Sequence, residues 1–314
     1  MSRSGFFDLK SLFGFRKLLA ELGTTEVPRA VLIGEPSSIS HGRVGILPGS
    51  FNPATTAHLD LALAARERFK LDFVVFSLSS VIIDKERVVG LCQEDRLLLL
   101  SLLAHPSWMG VAVVNRGLYY EQVVGFRALF GKDAHIYFIV GMDKVVQIFD
   151  EKYYTDRDAA LRTLFFEAQL IAANRGEWGE EALHSLLERD DNQAYEGRVY
   201  PLTLSPNLKD LSSTKIRKAV QDHAPFEHAV PGAVSEFIAE THTYREPYTI
   251  RVAALQALCR LGRWAEQAVD LERVVARAQG GDPDGESLRA MLCQESASSR
   301  GLKDLLIRLG LCRS

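Results

Sequence analysis

The feature that most constrains the fold is a regular alternation of short apolar segments with longer amphipathic ones, which begins at residue 43. The short segments are apolar throughout, which is typical of strands that are buried on both faces of a parallel sheet. The longer segments have helical spacing, and strands that alternate with helices predict βαβ units. We therefore expect an α/β chain with a Rossmann-like, doubly wound parallel sheet. The predicted strands lie in RVGILPGSF, LDFVVFSLS, GVAVVN, HIYFIVG, QLIAAN and GRVYPLTLS.

The two ends of the chain depart from this alternation. The first residues carry apolar side chains at helical spacing, and the segment AVLIG that follows is typical of a short strand. After Pro247 the pattern is helical, and GGDPDG interrupts it. We therefore divide the chain into a lead-in of residues 1–42, a main domain of residues 43–246, and a C-terminal helical appendage of residues 247–314.

The composition argues against several classes of protein. The 314 residues carry a formal net charge of -3, so no overall basic charge favours nucleic-acid binding. The four cysteines have no CxxC spacing, which argues against a zinc site or a disulfide framework. No apolar run has the length of a membrane span, and the N-terminus lacks the pattern of a secretory signal. We therefore expect a cytoplasmic protein that binds neither nucleic acid nor a membrane.

The stretch GSFNPATTAHL, residues 49–59, lies where the first strand of the main domain turns into a helix. Gly49 permits a tight turn and the close approach of a ligand. Thr55 and His58 are three residues apart, which places them on one face near the first turn of the helix. A helix N-terminus attracts phosphate through its N–H groups, and His58 adds a donor that can become cationic. The alternative interpretation is a turn with a capping threonine and a surface histidine.

The stretch LSSTKIR, residues 211–217, combines helix-capping hydroxyls with two cations. Ser213 and Thr214 are residues of the N-cap type, and Lys215 and Arg217 lie inside the predicted helix. Hydroxyls, backbone N–H groups and cations around one helix start suit a polyphosphate. Since many helices begin in this way, an ordinary capped helix is the alternative.

Two further positions follow predicted strands. Gly141 ends HIYFIVG and Asp143 follows two residues later, and a carboxylate at this end of a strand commonly holds a ribose hydroxyl or the edge of a base. The alternative role of Asp143 is to cap a helix in the segment after it. Lys85 lies in the loop after the second predicted strand, where it is either solvated or within reach of a substrate phosphate.

Together, and in this order, GSFNPATTAH, GMD and SSTKIR resemble the motifs of the nucleotidyltransferase superfamily with the (His/Thr)-x-x-His signature. Within that superfamily the chain is most similar to the nicotinamide or nicotinate mononucleotide adenylyltransferases. The resemblance covers about residues 43–245 and includes VPGAVSEFIAETHTY, which is similar to the family's closing helix. SFNPATTAHL and KYYTDRDAALRTLFFEAQLI resemble a divergent branch that is found among fungal proteins.

The resemblance implies roles for individual residues. Thr55 and His58 would contact the phosphates of ATP, with His58 stabilising the α-phosphate as it is attacked. The β- and γ-phosphates would be held by Ser213, Thr214 and Arg217. The resemblance also implies that Gly49, Ser50 and Phe51 line the cleft. Gly141 and Asp143 would contact the mononucleotide. Lys85, and Arg175 in ANRGEW, would contact the same substrate.

The implied reaction is in-line attack by the phosphate of the mononucleotide on the α-phosphorus of ATP, which releases pyrophosphate. It needs no protein nucleophile, so catalysis would rest on positioning and on stabilisation of charge. The family uses Mg²⁺, which is bound mainly by phosphate oxygens and water. The implied partners are ATP and a pyridine mononucleotide, and a homo-oligomer is compatible with the sequence.

The sequence departs from the family pattern at two points. Thr55 stands where most mononucleotide adenylyltransferases have histidine, whereas threonine is common in other branches, such as the phosphopantetheine adenylyltransferases. The family's tryptophan after GxD, which stacks on the pyridine ring, is missing. The aromatic residues that could replace it are Phe149, Tyr153, Tyr154 and Trp178.

These departures keep two alternatives open. One is an enzyme of the same fold with another acceptor, namely phosphopantetheine, a cytidylyl acceptor or flavin mononucleotide. The other is a non-catalytic nucleotide-binding protein with a regulatory role. Intact His58, Arg217 and Asp143 favour an enzyme.

Overall fold

The structure of the protein is a computed structural model. Two compact units make up the chain, one formed by Leu19–Arg87 and Leu99–Glu236 and the other by Met1–Leu18, Val88–Leu98 and Phe237–Ser314. The first unit contains every strand of the sheet and is called the sheet unit below. The residues that the structure describes are 9–34, 42–81, 91–105, 107–174, 180–204, 211–241 and 243–244.

One seven-stranded sheet forms the centre of the sheet unit. Its strands lie in the order β1-β4-β3-β2-β5-β6-β7, and all neighbouring pairs are parallel except β1 with β4. The α/β class and the doubly wound parallel sheet predicted from the sequence are therefore confirmed. The strands are β1 (Ala30–Ile33), β2 (Gly42–Pro48), β3 (Phe73–Ser79), β4 (Met109–Val114), β5 (Ala134–Gly141), β6 (Ala168–Ala173) and β7 (Val199–Leu202).

A helix follows each parallel strand along the chain, as βαβ units require. Helix α5 starts directly after β5. The sequence predicts a helix in this segment only in the alternative in which Asp143 caps it, and the observed N-cap is Gly141. The described α-helices are α1 (Leu9–Gly23), α2 (Thr56–Phe69), α3 (Gln93–Leu103), α4 (Tyr119–Phe130), α5 (Met142–Phe149), α6 (Arg157–Glu167), α7 (Glu180–Leu187), α8 (Ser213–Gln221) and α9 (Gly232–Thr241).

Both faces of the sheet are covered. Val74, Val75 and Phe76 are consecutive in β3, so their side chains alternate between the faces, yet each has 0% of its surface exposed. This explains why the strand segments are continuously apolar in the sequence. Burial on both faces holds the strand ends rigidly, and the loops at the carboxyl edge are positioned by that framework.

The direction of winding changes between β2 and β5. From β2 the chain builds β3 and β4 on one side, and from β5 it builds β6 and β7 on the other. In doubly wound sheets a ligand binds outside the carboxyl ends of the strands at such a switch point. GSFNPATTAH runs from the loop after β2 into the first turn of α2, and β5 ends at Gly141, so two of the sequence motifs lie at this switch point.

The N-terminal lead-in contributes an element to the sheet. Strand β1 is the antiparallel edge strand beside β4. Asn115, which is buried after β4, accepts a hydrogen bond from the N–H of Arg29 and donates to the carbonyls of Thr25 and Val27. These bonds fix the segment that leads into β1, and the predicted strand AVLIG is confirmed.

Within the second unit, Arg16 and Glu94 form an ion pair of 2.9 Å. No helix among the described residues is long and apolar enough to span a membrane. The predicted appendage of residues 247–314 lies outside the described residues, and the proposed boundaries of the three parts of the chain stay predictions.

Candidate active site

The loop after β2 is packed around a buried aromatic ring. Phe51 has a left-handed backbone with φ 46°, which is uncommon for a bulky residue, and only 1% of its surface is exposed. Its ring lies 5.4 Å from that of Phe76 in β3 and 5.2 Å from that of His58, measured between centroids. The side chain of Phe51 therefore supports the loop from inside, whereas Ser50 before it is exposed.

Gly49 is required by this packing. A Cβ atom at Gly49 would lie 2.7 Å from Cζ of Phe51, and the ring cannot retreat because it is buried against Phe76. We expect Gly49→Ala to lower the free energy of unfolding by about 1–3 kcal/mol, as overpacked cores do, and to lower activity with it. Denaturant unfolding measures the change.

The matched control for Gly49→Ala is Gly232→Ala at the start of α9. A Cβ at Gly232 would have no neighbour within 4 Å, so we expect no loss of stability there. Wild-type stability and activity in Gly49→Ala would show that Phe51 can move without consequence, contrary to this interpretation.

Thr55 and His58 form one hydrogen-bonded unit at the start of α2. Thr55 is the N-cap residue, and His58 is the third residue of the helix. The N–H of Thr55 donates to Nδ1 of His58 over 3.0 Å, and Oγ1 of Thr55 lies 2.8 Å from the same nitrogen. Thr55 has 0% of its surface exposed, whereas His58 is half-buried.

The SSTKIR segment is docked onto the same loop, although the two motifs are far apart in sequence. The hydroxyl of Ser213 donates to the carbonyl of Pro53 over 2.8 Å. Nη1 of Arg217 donates to the carbonyl of Asn52 over 2.9 Å, and Nη2 donates to Oγ1 of Thr214 over 3.1 Å. The structure thus brings together two of the predicted phosphate-binding motifs.

The N-termini of α2 and α8 share an electrostatic property. Neither helix has an acidic residue in its first turn, which is also true of α1 and α9, whereas α3, α4, α5, α6 and α7 all have at least one. The partial positive charge at these two N-termini is therefore not balanced by a carboxylate of the helix itself. Ser212 caps α8 by accepting from the N–H of Lys215 over 3.2 Å. Such an arrangement favours an anion such as phosphate.

Asp143 lies in the first turn of α5, and Gly141 is the N-cap of that helix. Burial, together with the negative charge of Asp143, raises the pKa of the Tyr119 phenol. Tyr119 begins α4 and packs edge-to-face on Phe138 of β5, with 5.4 Å between centroids. A carboxylate and a protonated phenol therefore lie near the carboxyl end of β5, close to the switch point of the sheet.

The aromatic residues predicted to replace the stacking tryptophan differ in burial. Phe149 is buried in the core, where it stacks on Phe165, and it is not available to a substrate. Tyr153 and Tyr154 are half-buried, and the hydroxyl of Tyr154 donates to the carbonyl of Ile148 over 2.7 Å. Burial raises the pKa of Tyr154 to about 12. Trp178 lies outside the described residues.

Two of the predicted site residues, Lys85 and Arg175, also lie outside the described residues. The sequence did not indicate the part played by Asn52 and Pro53, whose carbonyls accept the bonds from α8. Backbone carbonyls are common to all residues, so no side-chain pattern could have revealed them. The described residues contain no group of three or more His, Cys, Asp and Glu side chains that could hold a metal ion.

Fold and site together define the class: an α/β protein whose loops at the switch point offer two helix N-termini to an anion. Comparison with known proteins agrees with this class. The model of the cytidylyltransferase-like family matches residues 46–219, which is more than half of the chain. The chain therefore belongs to the cytidylyltransferase-like family, and it is an enzyme of the nucleotidyltransferase type.

Individual relatives confirm the resemblance drawn from the sequence. A "Probable nicotinate-nucleotide adenylyltransferase" of Moorella thermoacetica is 32% identical over 210 residues, which are 65% of this chain and 92% of that protein. A protein of the same name from Geobacter sp. is 31% identical over 218 residues, covering 64% of this chain and 98% of its own length. The similarity to a branch found among fungal proteins stays a prediction.

Among solved structures, the chain is similar to a Plasmodium falciparum nicotinic acid mononucleotide adenylyltransferase complexed with NaAD. It is 16% identical and covers 65% of this chain and 98% of its own, with a TM-score of 0.48.

Proposed function

We propose that the protein transfers the adenylyl group of ATP to a pyridine mononucleotide, with nicotinate mononucleotide as the first candidate. The products would be the dinucleotide, which is NAD or its deamido form, and pyrophosphate. One observation carries this proposal: Arg217 and Ser213 dock the N-terminus of α8 onto the loop that leads to His58. The positive N-termini of α2 and α8 and the imidazole of His58 then border one place at the switch point.

The phosphates of ATP fit this place by charge. The triphosphate would lie against the first turns of α2 and α8, whose N–H groups lack a carboxylate of their own helix. Arg217 and His58 would add side-chain donors, and Ser213 and Thr214 would contribute mainly through their backbone N–H groups. Mg²⁺ would arrive with the substrate as MgATP, bound by phosphate oxygens and water.

The reaction would proceed by in-line displacement. A phosphate oxygen of the acceptor forms a bond to the α-phosphorus while the bond from that phosphorus to the bridging oxygen breaks. Pyrophosphate leaves with the bonding electrons, so no covalent enzyme intermediate is needed. The contribution of the chain is to align the two phosphates and to stabilise the charge that develops at the α-phosphate, to which His58 can donate.

The acceptor would bind beside β5. Asp143 and Gly141 would contact the mononucleotide from the start of α5, and Ser50 and Phe51 would contribute backbone groups of the β2 loop. Lys85 and Arg175 stay proposed contacts of the same substrate. The choice of nicotinate rests on the names of the curated relatives, which are similar over nearly their whole length.

The test is pyrophosphate release from MgATP with one acceptor at a time. We expect release with nicotinate mononucleotide. The rate with nicotinamide mononucleotide, relative to the rate with nicotinate mononucleotide, measures the preference for the amide or the acid. We expect none with phosphopantetheine or flavin mononucleotide, and none when CTP replaces ATP. Release with only one of these other acceptors would overturn the proposed substrate. Binding of ATP without pyrophosphate release with any acceptor would favour the regulatory alternative.

The proposed reaction also supports the cytoplasm as the compartment, since its substrates are soluble nucleotides. Formation of a homo-oligomer stays a proposal, which light scattering coupled to gel filtration would decide.

A further inference from the structure

The orientation of the Thr55 side chain does not match that of a phosphate ligand. None of the surface of Thr55 is exposed, and its Oγ1 lies 2.8 Å from Nδ1 of His58. The N–H of the same residue donates to the same nitrogen over 3.0 Å. Both polar donors of Thr55 thus converge on one ring atom of its neighbour.

This convergence determines where the imidazole proton lies. A ring nitrogen that accepts from a backbone N–H is unprotonated, so Nδ1 of His58 carries no proton. The hydroxyl of Thr55 then donates to Nδ1 as well, and the proton of the neutral ring lies on Nε2. Nε2 is on the far side of the ring from Thr55, which makes Nε2–H the donor that His58 can present to a ligand.

The arrangement is a known helix-capping device with one substitution. Thr55 and His58 occupy the N-cap and N3 positions of α2 and form a capping box. In a capping box, N3 is usually Glu or Gln, whose side chain returns to the N–H of the N-cap residue. Here an imidazole takes that place, so the bond that starts the helix also orients the ring.

We propose that Thr55 is a positioning residue: it fixes His58 in the Nε2–H tautomer and turns Nε2 away from Thr55, and it does not itself bind ATP. The Phe51 ring supports the imidazole from a second side, at 5.2 Å and an interplanar angle of 63°. Held in this way, His58 acts as a neutral donor, because a proton on Nδ1 would face the N–H of Thr55. The kinetic consequence rests on the proposed function, but the tautomer does not.

Steady-state kinetics test the positioning role. We expect Thr55→Val, which keeps the shape and removes the hydroxyl, to lower kcat by about 10- to 100-fold, since small misplacements of catalytic groups cost this much. The KM for ATP stays within about threefold, because no contact with ATP is lost. Thr55→Ser restores kcat to within about threefold of the wild type. Thr163→Val is the control, because the Thr163 hydroxyl donates to the carbonyl of Ala159 within α6, away from the β2 loop.

Two kinetic results would overturn the inference. A raised KM for ATP with unchanged kcat in Thr55→Val would make Thr55 a ligand of the phosphates. Wild-type kinetics in that variant would show that the hydroxyl has no role. Thermal unfolding of each variant shows whether α2 is still formed.

Nitrogen NMR of protein labelled with ¹⁵N-histidine tests the tautomer without substrate. The signals of His58 are identified by their loss in His58→Gln. We expect the shift of an unprotonated nitrogen for Nδ1 and of a protonated one for Nε2, and a displaced Nδ1 signal in Thr55→Val. A protonated Nδ1 in the wild type contradicts the inference whether or not the protein transfers AMP. The expected spectrum in a protein that releases no pyrophosphate with any acceptor means that the proposed function fails while the positioning role stands.

Discussion

Replacement of His58 by glutamine is expected to lower kcat by about 100- to 10,000-fold, the range that general acid–base groups and oxyanion donors contribute. Glutamine is a regular N3 residue of a capping box, so His58→Gln keeps the bond to the N–H of Thr55 and removes the imidazole. We therefore expect little change in the free energy of unfolding. Pyrophosphate release and denaturant unfolding measure the two quantities on the same protein.

Two comparison variants separate catalysis from stability. His58→Ala loses both the imidazole and the capping bond, so it is expected to lose about 1 kcal/mol of stability in addition to activity. His135→Ala, at the amino end of β5 and on the opposite edge of the sheet from the site, is expected to retain full activity. If His58→Gln kept wild-type kcat, the imidazole would have no part in the reaction.

The second large effect is expected for Arg217→Lys, which keeps the charge and changes the geometry. Arg217 bonds to the carbonyl of Asn52 and to Oγ1 of Thr214 at the same time. A lysine ammonium is a single point and cannot reproduce this fork. We expect kcat/KM for ATP to fall by about 100- to 1,000-fold, similar to the loss of one oxyanion donor. Stability falls by about 1 kcal/mol, since one of these two hydrogen bonds is lost.

Lys218→Ala is the matched control for Arg217→Lys. Lys218 is the next residue of α8 and is exposed, so the variant removes a charge from the same helix without changing its docking. We expect its activity to stay within about threefold of the wild type. Equal losses in both variants would mean that any change of a basic side chain on α8 has the same effect, and the proposed docking role of Arg217 would be wrong.

The sequence predicted the parallel sheet because strands covered on both faces must be apolar along their length, as β3 is. It also predicted that GSFNPATTAH and SSTKIR act together, which the bonds from Arg217 and Ser213 to the β2 loop support. Helix starts and tight turns have local chemical requirements, so they can be read from a few neighbouring residues.

Features that depend on distant contacts could not be predicted. The direction of β1 is set by its pairing with β4, and four residues carry no signal for it. The orientation of Thr55 towards Nδ1 of His58 depends on the backbone at the start of α2 and on the Phe51 ring that contacts the imidazole. Local sequence gives the residue types of a site, whereas tertiary packing decides which atoms face the ligand.

The docking of α8 onto the loop after β2 has a consequence for synthesis of the chain. One half of the proposed phosphate site lies at the start of the first crossover of the parallel sheet, and the other half follows β7, its last strand. A nascent chain that has emerged only as far as β7 has every strand but lacks α8. A nucleotide held by both helix ends therefore binds only after α8 has left the ribosome, and its binding energy stabilises only the completed sheet unit.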